Sequence, residues 1–132
     1  MNKILIDSSA YTRFVSGEGG VLDALSRAKT VYFSVFVLGE LLAGFKTGIF
    51  EAENRRILNA FLGKPSVVLL PAGEETADCY GRIWAALRKT GRPIPTNDVW
   101  IAAQAMETGS VLVSYDAHFA HVPGLRLWDP II

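Results

Sequence analysis

Four acids occupy positions from which carboxylates can act together: Asp7, Glu40, Asp98 and Asp116. Asp7 closes the apolar run 3–6, and Asp116 follows the run 111–114 with one residue between. Both side chains can therefore project from one edge of a sheet, and open α/β sheets bind ligands beyond the carboxyl ends of their strands. Asp98 opens a helical segment, and Glu40 lies two turns into another. Taken singly, a turn or cap role accounts for Asp7 and Asp116, and the helix dipole accounts for Asp98. Glu40 resists such an account. It is the only charge in VFVLGELLAGF, residues 35–45, a helix apolar nearly all round. A buried carboxylate is costly unless paired or metal-bound. Four carboxylates close together raise one another's pKa unless a cation joins them, and an acid-only pocket offers the oxygen ligands that Mg²⁺ prefers. The chemistry such a pocket suits is stabilisation of charge on phosphoryl oxygens and presentation of a water as nucleophile.

Other reactive types carry less. His118 and His121 lie close together, but without a third nitrogen or sulfur ligand nearby a zinc site is not expected, and surface or loop histidines are the default. Cys79, the single cysteine, stands beside Tyr80 in a helix with no flanking feature that lowers a thiol pKa, so packing explains it. Gly17, Gly19 and Gly20 follow a helix instead of a strand and lack a following GK[ST], which excludes a phosphate loop.

The elements that must position the acids alternate from end to end. The run 3–6 is a strand, and Ser8 or Ser9 caps a helix through about Val15. After the glycines come a helix over 21–28, a strand over 31–33, and a helix capped by Ser34 that reaches about Phe45. A helix over 51–62 leads to the strand 67–70, and a long helix fills 73–90 with Tyr80, Ile83, Trp84 and Leu87 on one face. Pro93 and Pro95 form an extended connector, Thr96 or Asn97 caps the helix 98–107, and the strand 111–114 follows. One helical turn fits after Asp116, and 125–128 reads as a last short strand. Strands separated by helices imply parallel neighbours covered on both faces: a three-layer αβα sandwich with a mainly parallel sheet.

At 132 residues the chain is expected to form a single domain over 1–132. Half the residues are hydrophobic, which leaves apolar side chains over for a partner surface and leads us to expect a homodimer. No window suits a membrane span, and MNKILID reaches a charge too soon for a signal peptide, so a cytoplasmic protein is expected. Lys and Arg number 13, matched by 13 Asp and Glu, so no global basic field attracts nucleic acid. With four acids held in one site, however, nine remain against those 13 basic groups, a mildly cationic surface.

Four blocks in order carry a resemblance: ILIDSSAY, SVFVLGELLAG, GRPIPTNDVWIAAQA and VLVSYDAHF. Together they span almost the whole chain, which resembles the PIN-domain ribonucleases and, within them, the VapC-type toxins of toxin–antitoxin pairs. The resemblance implies a PIN-like parallel αβα sandwich, an acidic pocket for Mg²⁺ or Mn²⁺, cleavage of RNA, dimerisation, and inhibition by a small VapB-like antitoxin. The family's acids fall on Asp7, Glu40, Asp98 and Asp116, and none is missing. Asp7, Asp98 and Asp116 would hold the principal ion, while Glu40 takes a second ion or orients the water. Ser114, at a position often threonine in the family, is expected as a hydrogen-bonding support, with Asn97 another.

Arg82, Arg88, Lys89 and Arg92 form a basic segment that could hold the RNA backbone. Tyr11, Phe14 or Trp100, where exposed, could stack bases. An amphipathic antitoxin segment is expected near Phe45, Ile49, Phe50 and Phe61. Two rival readings remain. One is a catalytically idle binding module acting through its antitoxin or its dimer. The other is a magnesium-dependent phosphatase with Asp7 as covalent nucleophile, which usually wants a second acid where Ser9 stands.

Overall fold

The computed structural model describes residues 2–128. Its elements run β1 (Lys3–Ile6), α1 (Ser8–Val15), α2 (Val21–Arg27), β2 (Thr30–Ser34), α3 (Val35–Lys46), α4 (Glu51–Leu62), β3 (Val67–Leu70), α5 (Glu74–Thr90), α6 (Thr96–Thr108), β4 (Val111–Val113) and a 3₁₀ turn at Ala117–His121. The strands form one parallel sheet in the order β3-β2-β1-β4, with Ile6 opposite both Phe33 and Val113. Helices cover both faces, giving the three layers expected. Ile4, Leu5 and Ile6 are all fully buried, as a strand covered on both sides requires.

The chain builds outward from β1 to β2 and β3, then returns so that β4 lies on the other side of β1. That reversal makes the carboxyl ends of β1 and β4 the topological switch point, the place where such sheets receive ligands. On one face, Tyr11 of α1 and Phe61 of α4 pack edge-on against Phe33 of β2, at ring separations of 5.6 and 5.7 Å. Elsewhere Trp100 of α6 lies between Phe36 of α3 and Tyr80 of α5, with ring centroids 5.2 and 4.1 Å away. This stack ties the three helices together close to Asp98 and one turn before Glu40.

The structure changes several local expectations. Asp7 itself, instead of Ser8 or Ser9, caps α1. Helix α6 begins at Thr96 after an extended Pro95, so Asp98 is its third residue and neither Thr96 nor Asn97 is the cap. The proline holds the preceding chain extended, and the helix starts as soon as it ends. Residues 125–128 do not form a strand: one parallel bridge joins Leu127 to Leu112. Ser114 lies past the end of β4. Phe61, only 3% exposed, belongs to the core and not to a docking surface, whereas Ile49 and Phe50 remain exposed. Tyr11 is also buried; Phe14 and Trp100 are partly covered. Among the described residues no helix is long and apolar enough to cross a membrane.

Candidate active site

Asp7 leaves β1 directly into the first turn of α1. Its Oδ1 accepts hydrogen bonds from the Ala10 N–H at 2.9 Å and from Ser9 Oγ at 2.7 Å, and its Oδ2 accepts one from Ser114 Oγ at 2.5 Å. Only 4% of Asp7 is exposed. Burial raises its pKa above the usual carboxylate value; the bonds from Ser114, Ala10 and Ser9 oppose the rise, and the charge of Asp116 adds to it. With both oxygens engaged at this depth, Asp7 is not presented as a covalent nucleophile, which counts against the phosphatase reading.

Ser114 joins the two strand ends. Besides donating to Asp7, its Oγ accepts the Asp116 N–H at 2.9 Å. Ser9 Oγ approaches it to 3.5 Å and accepts the Tyr115 N–H at 3.1 Å. These bonds are possible because the register sets Ile6 beside Val113, so the residues that follow emerge side by side.

Asp116 caps the 3₁₀ turn, its Oδ1 accepting the His118 N–H at 2.9 Å. The cap folds His118 back onto the acids. Its Nδ1 lies 3.1 Å from Asp116 Oδ1 and 3.4 Å from Asp98 Oδ2. One ligand atom from each of Asp98, Asp116 and His118 can be chosen so that all lie within 4.8 Å of one another. The Asp98 side chain is 15% exposed. Burial is the main cause that lifts its pKa, followed by the charge of Asp116; Glu40 adds to the rise, and His118 works against it.

Glu40 is carried by α3, whose cap, Ser34 Oγ, accepts the Phe36 N–H at 3.0 Å. Its Oε1 is buried with no hydrogen-bond partner among the described residues. Among those residues, no Lys or Arg forms a salt bridge with any of the four acids. A buried carboxylate oxygen without a donor, close enough to Asp98 for its charge to act there, suits a divalent cation. The donors, nearly all carboxylate oxygens, fit Mg²⁺ or Mn²⁺.

The remaining expectations divide. Asn97 is exposed in the first turn of α6 and its side chain makes no hydrogen bond among the described residues. Arg82 pairs with Asp78 at 2.9 Å and Arg88 lies over the Trp84 ring at 4.7 Å, while Lys89 and Arg92 are exposed at the end of α5 and in the connector to α6. Arg82 also lines a groove of about 290 Å³, with Cys79, Ile83, Ala86, Met106 and Pro123, and none of the four acids is part of it. Met106 is about 12 Å along α6 from Asp98 at helical rise. Two residues at the site escaped the sequence reading. From sequence Ser9 reads as a helix cap and as a position lacking a second acid, and His118 as a surface or loop histidine once a zinc role is set aside. The available signal for His118 was its spacing: a residue two beyond a capping aspartate folds back toward it.

Comparison with known proteins places the chain. A family model described as PIN domain matches residues 4–125. Ribonuclease VapC1 of Haemophilus influenzae (strain R2866) is 36% identical over 98 residues, covering 73% of this chain and 71% of the relative. Ribonuclease VapC2 of Rickettsia felis (strain ATCC VR-1525 / URRWXCal2) is 29% identical over 114 residues, 82% of this chain and 81% of the relative. The crystal structure of VapBC2 from Rickettsia felis bound to a DNA fragment from their promoter contains a chain that superposes with a TM-score of 0.85 at 22% identity, over 96% of this chain and 99% of that one. DNA-bound VapBC from Salmonella typhimurium gives a TM-score of 0.85 at 23% identity, over 98% of each chain. At these identities the solved structures speak for the fold alone. With a PIN match over nearly its full length and a VapC ribonuclease more than a third identical across 73% of it, this chain belongs to the PIN domain family, on its VapC branch.

Proposed function

We propose that this chain is a divalent-metal-dependent endoribonuclease, a single PIN-like domain that hydrolyses RNA phosphodiester bonds as the toxin of a type II toxin–antitoxin pair. The observation that supports the reading is the run of mutually acting charges from Asp7 through Asp116 and Asp98 to Glu40, which among the described residues no Lys or Arg pairs with. Mg²⁺ is the expected ion, with Mn²⁺ as substitute. When bound, it supplies charge stabilisation at the scissile phosphate and a lower pKa for the attacking water. Asp98 and Asp116, both reachable from solvent, offer ligand oxygens. Asp7 holds the inner edge in one orientation through its three donors. The free Oε1 of Glu40 accepts a proton from the water or joins a second ion. Ser114 keeps Asp7 and the Asp116 backbone in register.

The RNA backbone would run along Arg88, Lys89 and Arg92, which lead into the first turn of α6, with Arg82 at the outer limit of that track. A VapB-like antitoxin segment would occupy the groove of about 200 Å³ lined by Tyr11, Val15, Leu41, Phe45 and Ile57. The neighbouring VapBC complexes support that partner. The exposed Ile49, Phe50, Val68 and Leu69 leave apolar surface for a homodimer. RNA ends sequenced after brief expression of wild type and of Asp98→Asn test the activity. A cleavage site produced only by the wild type supports the reading. Identical end profiles from two folded proteins that reach equal levels would refute it in favour of an idle binding module.

A further inference from the structure

The acids of the site are accompanied by one imidazole, and its placement is specific. His118 is held by the backbone bond from its N–H to Asp116 Oδ1, 2.9 Å, and its Nδ1 points into the gap between Asp116 and Asp98, at 3.1 and 3.4 Å. Two ligands bound to the same octahedral ion at about 2.0–2.1 Å sit about 2.8–3.0 Å apart when adjacent and about 4.0–4.2 Å apart when opposite. The 3.4 Å from Nδ1 to Asp98 Oδ2 is nearer the adjacent case than the opposite one, and the 4.8 Å limit for the group of three leaves a small closing movement for an ion to make. Asp116 Oδ1 is committed to the cap, which leaves Oδ2 free to ligate. The second histidine, His121, is exposed at the far end of the same 3₁₀ turn and does not enter this group.

We infer that His118 Nδ1 is a direct ligand of the catalytic ion, making this a mixed nitrogen and oxygen site. The inference rests on the metal-dependent reading above. An unprotonated imidazole nitrogen is a softer donor than a carboxylate oxygen. It strengthens binding of Mn²⁺ and later first-row ions much more than binding of Mg²⁺, which dehydrates reluctantly and favours oxygen. The site therefore discriminates toward Mn²⁺ more strongly than four carboxylates alone would.

The test uses the full chain loaded with one equivalent of Mn²⁺ and no RNA. Pulsed electron paramagnetic resonance should show a ¹⁴N coupling to the manganese in the wild type and in His121→Gln, and none in His118→Gln. Calorimetric titration should show the ratio of Mn²⁺ to Mg²⁺ affinity falling about 10-fold or more in His118→Gln, the lower end of what loss of a metal-supporting side chain costs. Manganese that binds wild type without any ¹⁴N coupling overturns the inference and leaves the carboxylate site standing. A coupling lost in His121→Gln instead also overturns it. Wild type that binds no Mn²⁺ at all overturns both this inference and the metal-dependent reading.

Discussion

Ser114→Ala removes the one hydroxyl that bonds both strand-end acids, and its cost can be worked from the contacts. The variant loses the 2.5 Å bond to Asp7 Oδ2 and the 2.9 Å bond from the Asp116 N–H. Asp116 is partly exposed, so water can replace the second bond at little cost. Asp7 is buried, and its Oδ2 has no other donor among the described residues, so the first loss leaves an ionised oxygen unsatisfied. A hydrogen bond to a charged group contributes about 1.5–3 kcal/mol, and that is the expected destabilisation of the metal-free protein at neutral pH. The cost should shrink in acid. Ser114 is the strongest of the groups opposing the raised pKa of Asp7, so without it the carboxyl is protonated more readily and no longer needs the donor. Urea unfolding in the presence of a chelator, at neutral pH and at the acid end of the carboxylate range, measures both effects. Calorimetric titration should also show Mn²⁺ affinity lowered about 10–100-fold, with Ser114→Thr restoring much of it. An unchanged urea midpoint together with unchanged affinity would refute the idea that this hydroxyl holds Asp7.

Three further outcomes follow from the same geometry. Glu40→Gln should raise the thermal midpoint of the metal-free protein, because it removes a buried charge with an unpartnered oxygen, worth about 1–3 kcal/mol; it should also reduce the midpoint rise that Mn²⁺ produces, and a lower midpoint without metal would contradict this. Because the pKa of Asp98 is raised in the fold, folded protein binds its proton more tightly than unfolded chain does. The metal-free stability of wild type relative to Asp98→Asn should therefore decline as pH rises from the ordinary value of 3.8 through the raised one; unfolding curves across that range check it, and a relative stability that climbs is the opposing result. Leu58→Ala opens a cavity at a fully buried position under α4 and should cost about 2–5 kcal/mol in urea unfolding without altering Mn²⁺ affinity.

Much of this arrangement was legible from residue types. The apolar runs at 3–6, 67–70 and 111–113, each followed or preceded by a helix with its own stop signal, announce parallel strands, and Gly91 and Gly109 end α5 and α6 in the left-handed conformation as their type suggests. Glu40 stood out because a lone charge in an apolar helix needs a reason. These signals are local: side-chain period, cap chemistry and glycine report burial and chain direction within a dozen residues.

What the sequence determined by itself was therefore the alternation of elements, the carboxylates at their ends and the expectation that such acids share an ion. Tertiary structure alone decided which ends meet. The return of β4 to the free side of β1, and the register opposing Ile6 to Val113, bring Ser114 onto Asp7 across 107 positions of chain. The Phe36–Trp100–Tyr80 stack carries Glu40 to Asp98, and the turn after Asp116 aims His118 between two acids. Strand order and helix docking are settled by long-range burial, which many pairings of equally apolar segments could satisfy. A residue such as His118 gains its surroundings only after that competition is resolved.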